Sequence, residues 1–211
     1  MDAYELNKLL NRCNVTEDQR QQAIEHVQSA LQLLGLYDKM GSHKQQHIVD
    51  TPRRIVDVWL EFTANMQHEP SNITTFEATS DNLVTVVDIE LHSMCSHHLF
   101  PFNGIAHVAY LPNKKVYGLS KIPRIVQHFS KQLQVQEELT DEIADYLFKV
   151  AEPLFVYVVI EAQHQCCTSR GIHSSTSSMI TRARRYSPEL GDIQSIMQEA
   201  NASIESRRSK R

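Results

Sequence analysis

Three residues of this chain have the types and the spacing that bind a metal ion. Cys95 and His98 are three positions apart after an apolar, strand-like run, a separation at which a turn directs both side chains to one ion. Two ligands do not hold zinc, and Cys166, at the end of a second apolar run, is the best candidate for a third. Three protein ligands and a fourth position left for water are the arrangement of a catalytic zinc site. The sequence therefore predicts a zinc site formed by Cys95, His98 and Cys166.

Residues beside these ligands leave alternatives open. A single Cys-x-x-His pair is a weak signal, and the second cluster, from His164 to Cys167, is what strengthens the zinc interpretation. Cys167 or His164 is also a candidate for a fourth ligand, which would close the site and make it structural. Because neighbouring strand residues point to opposite faces, only one of Cys166 and Cys167 is expected to reach the metal.

Length and composition indicate one globular catalytic domain. The 211 residues are 41% hydrophobic and 22% charged, and the net charge of -4 argues against a general nucleic-acid-binding protein. The first residues lack the pattern of a signal peptide, and no later run is long enough to span a bilayer. Four cysteines, two of them adjacent, do not form a sensible disulfide framework. We therefore expect a cytoplasmic protein with reduced thiols that binds neither nucleic acid nor membrane.

Helical spacing dominates the first part of the chain. Thr16 and Gln19 form a capping-box pattern before a helix whose apolar stripe is expected to be buried. Asp50 can cap a second helix, and Val58 and Met66 belong to its apolar face. These elements predict an N-terminal helical segment that precedes the catalytic domain.

From residue 82 the pattern changes to strands that alternate with helices. The predicted strands are 83–91, 107–110, 116–117, 154–162 and an edge strand at 174–181. Ser120 can cap one helix, and Thr140 caps a second or lies in its first turn. This order predicts an α+β fold in which helices cover one side of an antiparallel sheet. We therefore predict an N-terminal helical segment at 1–70 and a catalytic domain at 71–211, with a helical, basic tail that is frayed at its end.

Five motifs occur along the chain in an order that carries a family resemblance. They are Thr51-Pro52-Arg53-Arg54, Cys95-Ser96-His97-His98, Gly118-Leu119-Ser120-Lys121-Ile122-Pro123-Arg124, Gln134-Val135-Gln136-Glu137-Glu138-Leu139-Thr140 and His164-Gln165-Cys166-Cys167-Thr168-Ser169-Arg170-Gly171. Together they resemble the GTP cyclohydrolase I family over a little more than half of the chain. The resemblance implies the tunnelling fold, a ring-shaped homodecamer with active sites at subunit interfaces, and zinc as the metal. It also implies hydrolysis of C8 of GTP as formate and rearrangement of the remainder to 7,8-dihydroneopterin triphosphate.

Proton transfer is the second chemical requirement of that reaction. Water attacks C8 more readily when the adjacent N7 is protonated, so the site needs an acid as well as an activated water. His97 and His164 flank the ligands, and the resemblance assigns both to proton transfer. The alternatives are an orienting role for His97 and a backbone hydrogen bond for His164. Ser120 is a further catalytic candidate that would bond the ribose or the ring-opened intermediate, although helix capping explains it without a function.

The triphosphate requires cations on an otherwise acidic chain. Lys121 and Arg124 lie three residues apart at a predicted helix N-terminus, where free N–H groups also favour anions. Arg170 follows the second cluster of ligands. By resemblance these three residues bind phosphates, and Arg54 is a weaker candidate. Solvated surface charge is the alternative for each of them.

Guanine recognition requires a carboxylate that accepts two parallel N–H bonds from the base. Glu137 matches the guanine-binding glutamate of the family, and Gln136 beside it is also predicted to bind substrate. The alternative is that Glu137 only stabilises the first turn of the following helix.

The chain also departs from the family pattern. Ser96 stands where the family usually has glutamate, and the residues after Gly171 differ from the small and glycine residues that we expect. Two other functions therefore stay open. One is a tunnelling-fold relative that acts on another purine or pterin, and the other is a structural zinc-binding interaction protein.

Overall fold

A computed structural model describes residues 1–37, 39 and 46–208. Their contacts form two compact units, Met1–Gln67 and His68–Arg211. Among the helices of the described part, none has both the length and the apolar character that a membrane crossing requires.

The first unit is helical. It contains α1 (Ala3–Cys13), α2 (Glu17–Leu33) and α3 (Thr51–Thr63). The capping box predicted at the start of α2 is present, because Thr16 and Gln19 exchange both reciprocal hydrogen bonds. Asp50, in contrast, makes no side-chain capping bond to α3.

Helices α2 and α3 contact each other through a buried ion pair. Arg20 is 6% exposed and lies 2.7 Å from the carboxylate of Asp57. The predicted apolar faces are partly buried: Ile24, Val27 and Trp59 are half-buried, whereas Val58 and Met66 are 44% and 50% exposed. The predicted apolar faces are therefore only partly buried within the single chain, and the Arg20–Asp57 pair is the most buried contact between the two helices.

The second unit is built on a five-stranded sheet with the strand order β5-β2-β3-β6-β7. The strands are β1 (Thr75–Glu77), β2 (Val84–Cys95), β3 (Phe100–Leu111), β4 (Lys115–Tyr117), β5 (Leu133–Gln134), β6 (Phe155–His164) and β7 (Met179–Tyr186). The pairs β2–β3, β3–β6 and β6–β7 are antiparallel, and the short β5 pairs with β2 in parallel. Strands β1 and β4 form a separate antiparallel pair.

The last strand lies further along the chain than predicted. Residues 174–178, part of the predicted strand at 174–181, form turns in which Ser175 and Ser177 donate backbone hydrogen bonds to carbonyls two and three residues earlier. Serine and threonine favour such local bonds over a ladder, which explains the error. Strand β7 begins only at Met179.

Two helices, Lys121–Ser130 and Gln136–Ala151, cover one face of the sheet. The remaining helices are α4 (Lys121–Ser130), α5 (Gln136–Ala151), α6 (Gln165–Thr168) and α7 (Ile193–Arg208). Ile125 of α4 and Ile143 of α5 are fully buried with Val158 of the sheet. On the opposite face, Ala200 and Ile204 of α7 pack in the cluster that contains the inner strands. The α+β fold class is confirmed, and the tail helix is packed up to Ile204; residues 209–211 lie outside the described part.

Helix starts differ from the sequence prediction in detail. Ser120 occupies the N-cap position of α4 but makes no side-chain capping bond. Helix α5 begins at Gln136, and Thr140 lies one turn inside it, where its hydroxyl donates to the Gln136 carbonyl. The motif from Gln134 to Glu137 therefore spans the N-terminus of α5.

A β-bulge changes the alternation of β2. The register of β2 against β3 shifts between Val86 and Ile89. Asp88, inside this bulge, has a left-handed φ of 60°. Val86 faces the helix-covered core before the bulge, and Leu91 and Cys95 face it afterwards. Even-numbered residues therefore face the helices before the bulge and odd-numbered residues after it.

Candidate active site

Two turns at one edge of the sheet bring the predicted metal ligands together. Because β3 is antiparallel to both β2 and β6, these two strands run in the same direction and end at the same edge. Cys95 ends β2, His98 lies in the turn before β3, and Cys166 lies in α6 directly after β6. The ligand atoms of Cys95, His98 and Cys166 all lie within 4.8 Å of one another.

This donor set fits a zinc ion. Zinc binds sulfur at about 2.3 Å and imidazole nitrogen at about 2.0–2.1 Å, so three donors within 4.8 Å need only small side-chain rotations to share one ion. Burial and the neighbouring thiols of Cys167 and Cys95 raise the pKa of Cys166 to about 11. A divalent cation opposes these effects because it stabilises the thiolate. The cluster therefore has the chemistry of a metal site.

Cys167 lies beside this group but is not part of it. Its Sγ is 3.9 Å from the Sγ of Cys166, yet the group of mutually close donors contains only Cys95, His98 and Cys166. Both adjacent cysteines belong to the helical turn α6, so our strand-alternation argument does not apply to them. Within the described ranges, the structure gathers three donors rather than a closed set of four.

A pocket of about 420 Å³ opens beside the three donors. Its wall includes four further residues that the sequence analysis assigned to the site: His97, His164, Gln136 and Glu137. Cys167, the alternative fourth ligand, also lines the pocket. The wall is completed by six residues without a predicted role: Gln134, Val135, Ala162, Ser177, Ser178 and Met179. The serines and Met179 follow α6 in the segment that leads into β7, and no motif marked them.

His164 is held between two side chains. Its ring stacks on Phe102 of β3, with centroids 4.4 Å apart and planes inclined by 9°, and its Nε2 is 2.9 Å from Oε1 of Gln136. Burial lowers the pKa of His164, and the negative charge of Glu137 partly opposes this effect. Burial of the ring therefore favours its neutral form. Phe102 was missed because only the pairing of β3 with β6 places it beside His164.

His97 lies on the other side of the motif and is exposed. Its Nδ1 is 3.7 Å from the Sγ of Cys95, a distance that allows a weak hydrogen bond to sulfur. Ser96, where the family usually has glutamate, is exposed, and its backbone N–H donates to the carbonyl of Gln134. The exposed turn after β2 thus contacts the segment at the N-terminus of α5 through its backbone.

Consecutive residues at the start of α5 differ in exposure. Gln136 is 1% exposed, whereas Glu137 is exposed and its side chain is part of the pocket wall. Glu138 is exposed as well but does not contribute to the wall. Glu137 is therefore the carboxylate available to a ligand in the pocket.

The cationic candidates do not line this pocket. Lys121 and Arg124 lie in the first turn of α4, with Ser120 just before them, and Arg170 is exposed after α6. Among the described residues, the pocket wall contains no lysine or arginine. Arg54 belongs to α3 of the first unit, where it is exposed and pairs with the aspartate that precedes that helix. The described pocket wall thus contains the three metal donors with His97, His164, Gln136 and Glu137. It contains none of the predicted phosphate-binding cations.

The α+β fold places at one sheet edge a cluster of thiol and imidazole donors of the kind that can hold a metal ion. The family model described as GTP cyclohydrolase I matches residues 24–195. The chain therefore belongs to the GTP cyclohydrolase I family, and the resemblance carried by the five motifs is confirmed.

Known relatives agree with this assignment. GTP cyclohydrolase 1 of Saccharomyces cerevisiae is 39% identical over 174 residues, which cover 81% of this chain and 71% of the relative. GTP cyclohydrolase 1 of Campylobacter jejuni subsp. doylei is 41% identical over 163 residues, or 75% of this chain and 83% of the relative. GTP cyclohydrolase 1 of a Sulfurihydrogenibium species is 49% identical over 134 residues, or 63% of this chain and 70% of the relative.

Proposed function

We propose that this protein is a GTP cyclohydrolase I that opens the imidazole ring of GTP, releases formate and forms 7,8-dihydroneopterin triphosphate. Family membership supports the reaction class. The observation that carries the proposal is the approach of Cys95, His98 and Cys166 to within 4.8 Å at the wall of a pocket that also contains Glu137.

Cys95, His98 and Cys166 would hold zinc in this proposal. Sulfur and imidazole donors suit zinc, whereas magnesium and calcium take oxygen ligands. When bound, zinc supplies Lewis-acid activation of the water that attacks the purine. Three donors support a catalytic site over a structural site, which has four protein ligands. Thiols that bind a metal must be reduced, which favours the cytoplasm as the compartment.

The side chains of the pocket wall divide the remaining tasks. Glu137 accepts the two N–H groups on the N1 and 2-amino edge of guanine, a pattern that adenine does not present. His164 and His97 approach the pocket from different turns, so each is a candidate to move a proton, at N7 of the purine or at the formamide intermediate. The lowered pKa of His164 favours the neutral imidazole, the form that accepts a proton.

Lys121, Arg124 and Arg170 would bind the triphosphate in an active site shared between subunits of a homodecamer, with Ser120 near the ribose. This arrangement is supported by the absence of lysine and arginine from the described wall of the single-chain pocket. Arg54 is a weaker phosphate candidate. Lys121 and Arg124 both lie in the first turn of α4, at the positive end of the helix dipole, which favours a phosphate of the neighbouring site.

A direct assay tests the reaction. Zinc-loaded protein is incubated with GTP, and formate and the fluorescent oxidised pterin are measured. We expect both products in equal amounts. A tunnelling-fold relative that acts on another substrate would give neither product from GTP. A structural zinc protein would show, after cobalt substitution, a spectrum that does not respond to azide.

Mixing two inactive variants tests the shared site. C166S removes a metal donor and R124A removes a phosphate contact, so a mixed oligomer contains some sites in which both groups are intact. We expect activity to return only after the two variants are dissociated and reassembled together. No recovery, with an active wild type, would contradict the shared site without affecting the proposed reaction.

A further inference from the structure

The amide group of Gln136 is enclosed by protein although the residue borders the pocket. Its Nε2 lies 3.2 Å from the carbonyl oxygen of Ile160, 3.0 Å from that of Met179 and 3.1 Å from the hydroxyl of Thr181. Carbonyl oxygens only accept hydrogen bonds, so the amide nitrogen has to face them. The amide oxygen therefore faces the other way, toward His164.

Two threonines complete this network. The hydroxyl of Thr140 donates to the backbone carbonyl of Gln136 at 2.6 Å, so its oxygen accepts from the hydroxyl of Thr181, also at 2.6 Å. The Thr181 oxygen is then an acceptor for the Gln136 amide. The two amide hydrogens are thus used by acceptors of β6 and β7, and none is left for a ligand.

The direction of these bonds fixes the protonation pattern of His164. Oε1 of Gln136 is only an acceptor, so Nε2 of His164, 2.9 Å away, has to donate. A neutral imidazole carries one N–H group, and Nδ1 therefore keeps its lone pair. Phe102 stacks on the ring and holds its plane. Gln136 occupies Nε2, and His164 borders the pocket, so Nδ1 is the ring nitrogen that we assign to a molecule bound there.

We propose that Gln136 is a positioning residue that holds the proton on Nε2 of His164 and presents Nδ1 as the proton acceptor, rather than a residue that contacts guanine. The proposal rests on the proposed function, in which His164 moves a proton. It assigns the two neighbouring residues at the start of α5 to different tasks: Glu137 binds the base, and Gln136 acts through His164. Buried polar partners of this kind orient catalytic and metal-site imidazoles in many proteins.

Steady-state kinetics of Q136M separate the two roles. Methionine has a similar volume but cannot accept from Nε2, so we expect kcat to fall by about 10- to 100-fold. KM for GTP and the Kd of a non-hydrolysable GTP analogue stay within about twofold, because no substrate contact is lost. Q163M is the matched control: Gln163 precedes His164, is exposed and lies outside the pocket wall, and its kinetics should equal those of the wild type.

A double-variant cycle provides the second readout. If Gln136 acts through His164, Q136M lowers kcat in the wild type but causes no further loss in an H164N background. A raised KM and a raised analogue Kd in Q136M, with kcat unchanged, would overturn the proposal and restore the guanine contact. Equal losses from Q136M in both backgrounds would overturn it too.

Folding and the proposed function are checked separately. Zinc content and thermal unfolding show whether Q136M is folded. If it is not, the same constants are measured on Q136N, whose shorter amide cannot bond β6, β7 and His164 together; a kcat loss supports the proposal and a KM increase overturns it. A wild type that releases no formate from GTP would instead remove the proposed function.

Discussion

The two turns that carry the metal donors are held in different ways. The β2–β3 turn, Ser96–Leu99, is exposed and is held by backbone bonds from Leu99 to the Cys95 carbonyl and from Ser96 to the Gln134 carbonyl. The β6–α6 junction, His164–Thr168, contains the buried Cys166 and is supported by side chains from β3 and α5.

This difference separates local from long-range determinants of the site. In the β2–β3 turn, the spacing of Cys95 and His98 along the chain is enough to direct both to one point. At the junction, His164 depends on Phe102 and Gln136, which are distant in sequence. We therefore expect the junction to set the orientation of the reacting groups and the turn to supply an adaptable donor.

Removing one donor from each region is expected to have the largest effect. C166S at the junction and H98A in the turn should each abolish zinc binding and lower kcat by roughly 10³-fold, because Lewis-acid activation contributes several kcal/mol. Metal content by mass spectrometry and formate release measure this. C167S is the matched control and should keep its zinc. Zinc retained by H98A would contradict the claim that the β2–β3 turn and the β6–α6 junction share one ion.

Replacing the carboxylate beside the junction should have the next largest effect. E137Q removes a charged acceptor for guanine, and hydrogen bonds to charged groups contribute about 1.5–3 kcal/mol, so kcat/KM for GTP should fall by roughly 10- to 100-fold. E138Q makes the same charge change in the same helical turn, outside the pocket wall. Equal kinetics of E137Q and E138Q would show that helix stability, not guanine binding, explains both glutamates.

Separating β3 from β6 with an added side chain tests whether the pairing of these strands supports the β6–α6 junction. A Cβ at Gly104 would collide with the carbonyl of Glu161 and with Ala162, so G104A should lower the free energy of unfolding by about 1–3 kcal/mol. Chemical denaturation measures this change. A Cβ at Gly191 meets no atom within 4 Å, so G191A should change stability by less than about 0.5 kcal/mol. Equal stability of the two variants would mean that the strands adjust freely there.

The smallest expected effect concerns the edge strand that bonds Gln136. Arg185 of β7 pairs with Asp141 at 2.8 Å and with Asp145, both of α5. The partners are largely exposed, so R185A should cost about 1 kcal/mol or less in the free energy of unfolding. R182A, on the same strand and exposed, is the control. A large loss of kcat in R185A would show that the position of β7 determines the orientation of the reacting groups at the β6–α6 junction.

The sequence could predict what depends on short spacing or strong periodicity. The helix cap at Thr16, the strand before Cys95 and the two helices between β4 and β6 follow from local patterns and appear in the structure. Helix α1 and the short strand β5 were not predicted. The edge strand was misplaced because serine-rich segments satisfy their own backbone. Phe102 beside His164 was not predicted, because strand pairing brings together residues that no local pattern relates.

The bulge in β2 makes the metal site sensitive to changes that no motif comparison detects. It adds one residue between Val86 and Ile89 and thereby decides which face receives Cys95, even though the motif itself begins only later in the strand. A one-codon deletion at Glu90 that leaves the bulge in place would move every later residue of β2 to the opposite face and turn Cys95 toward the side of α7. Such a gene product would keep all five signature motifs and still lack a metal centre.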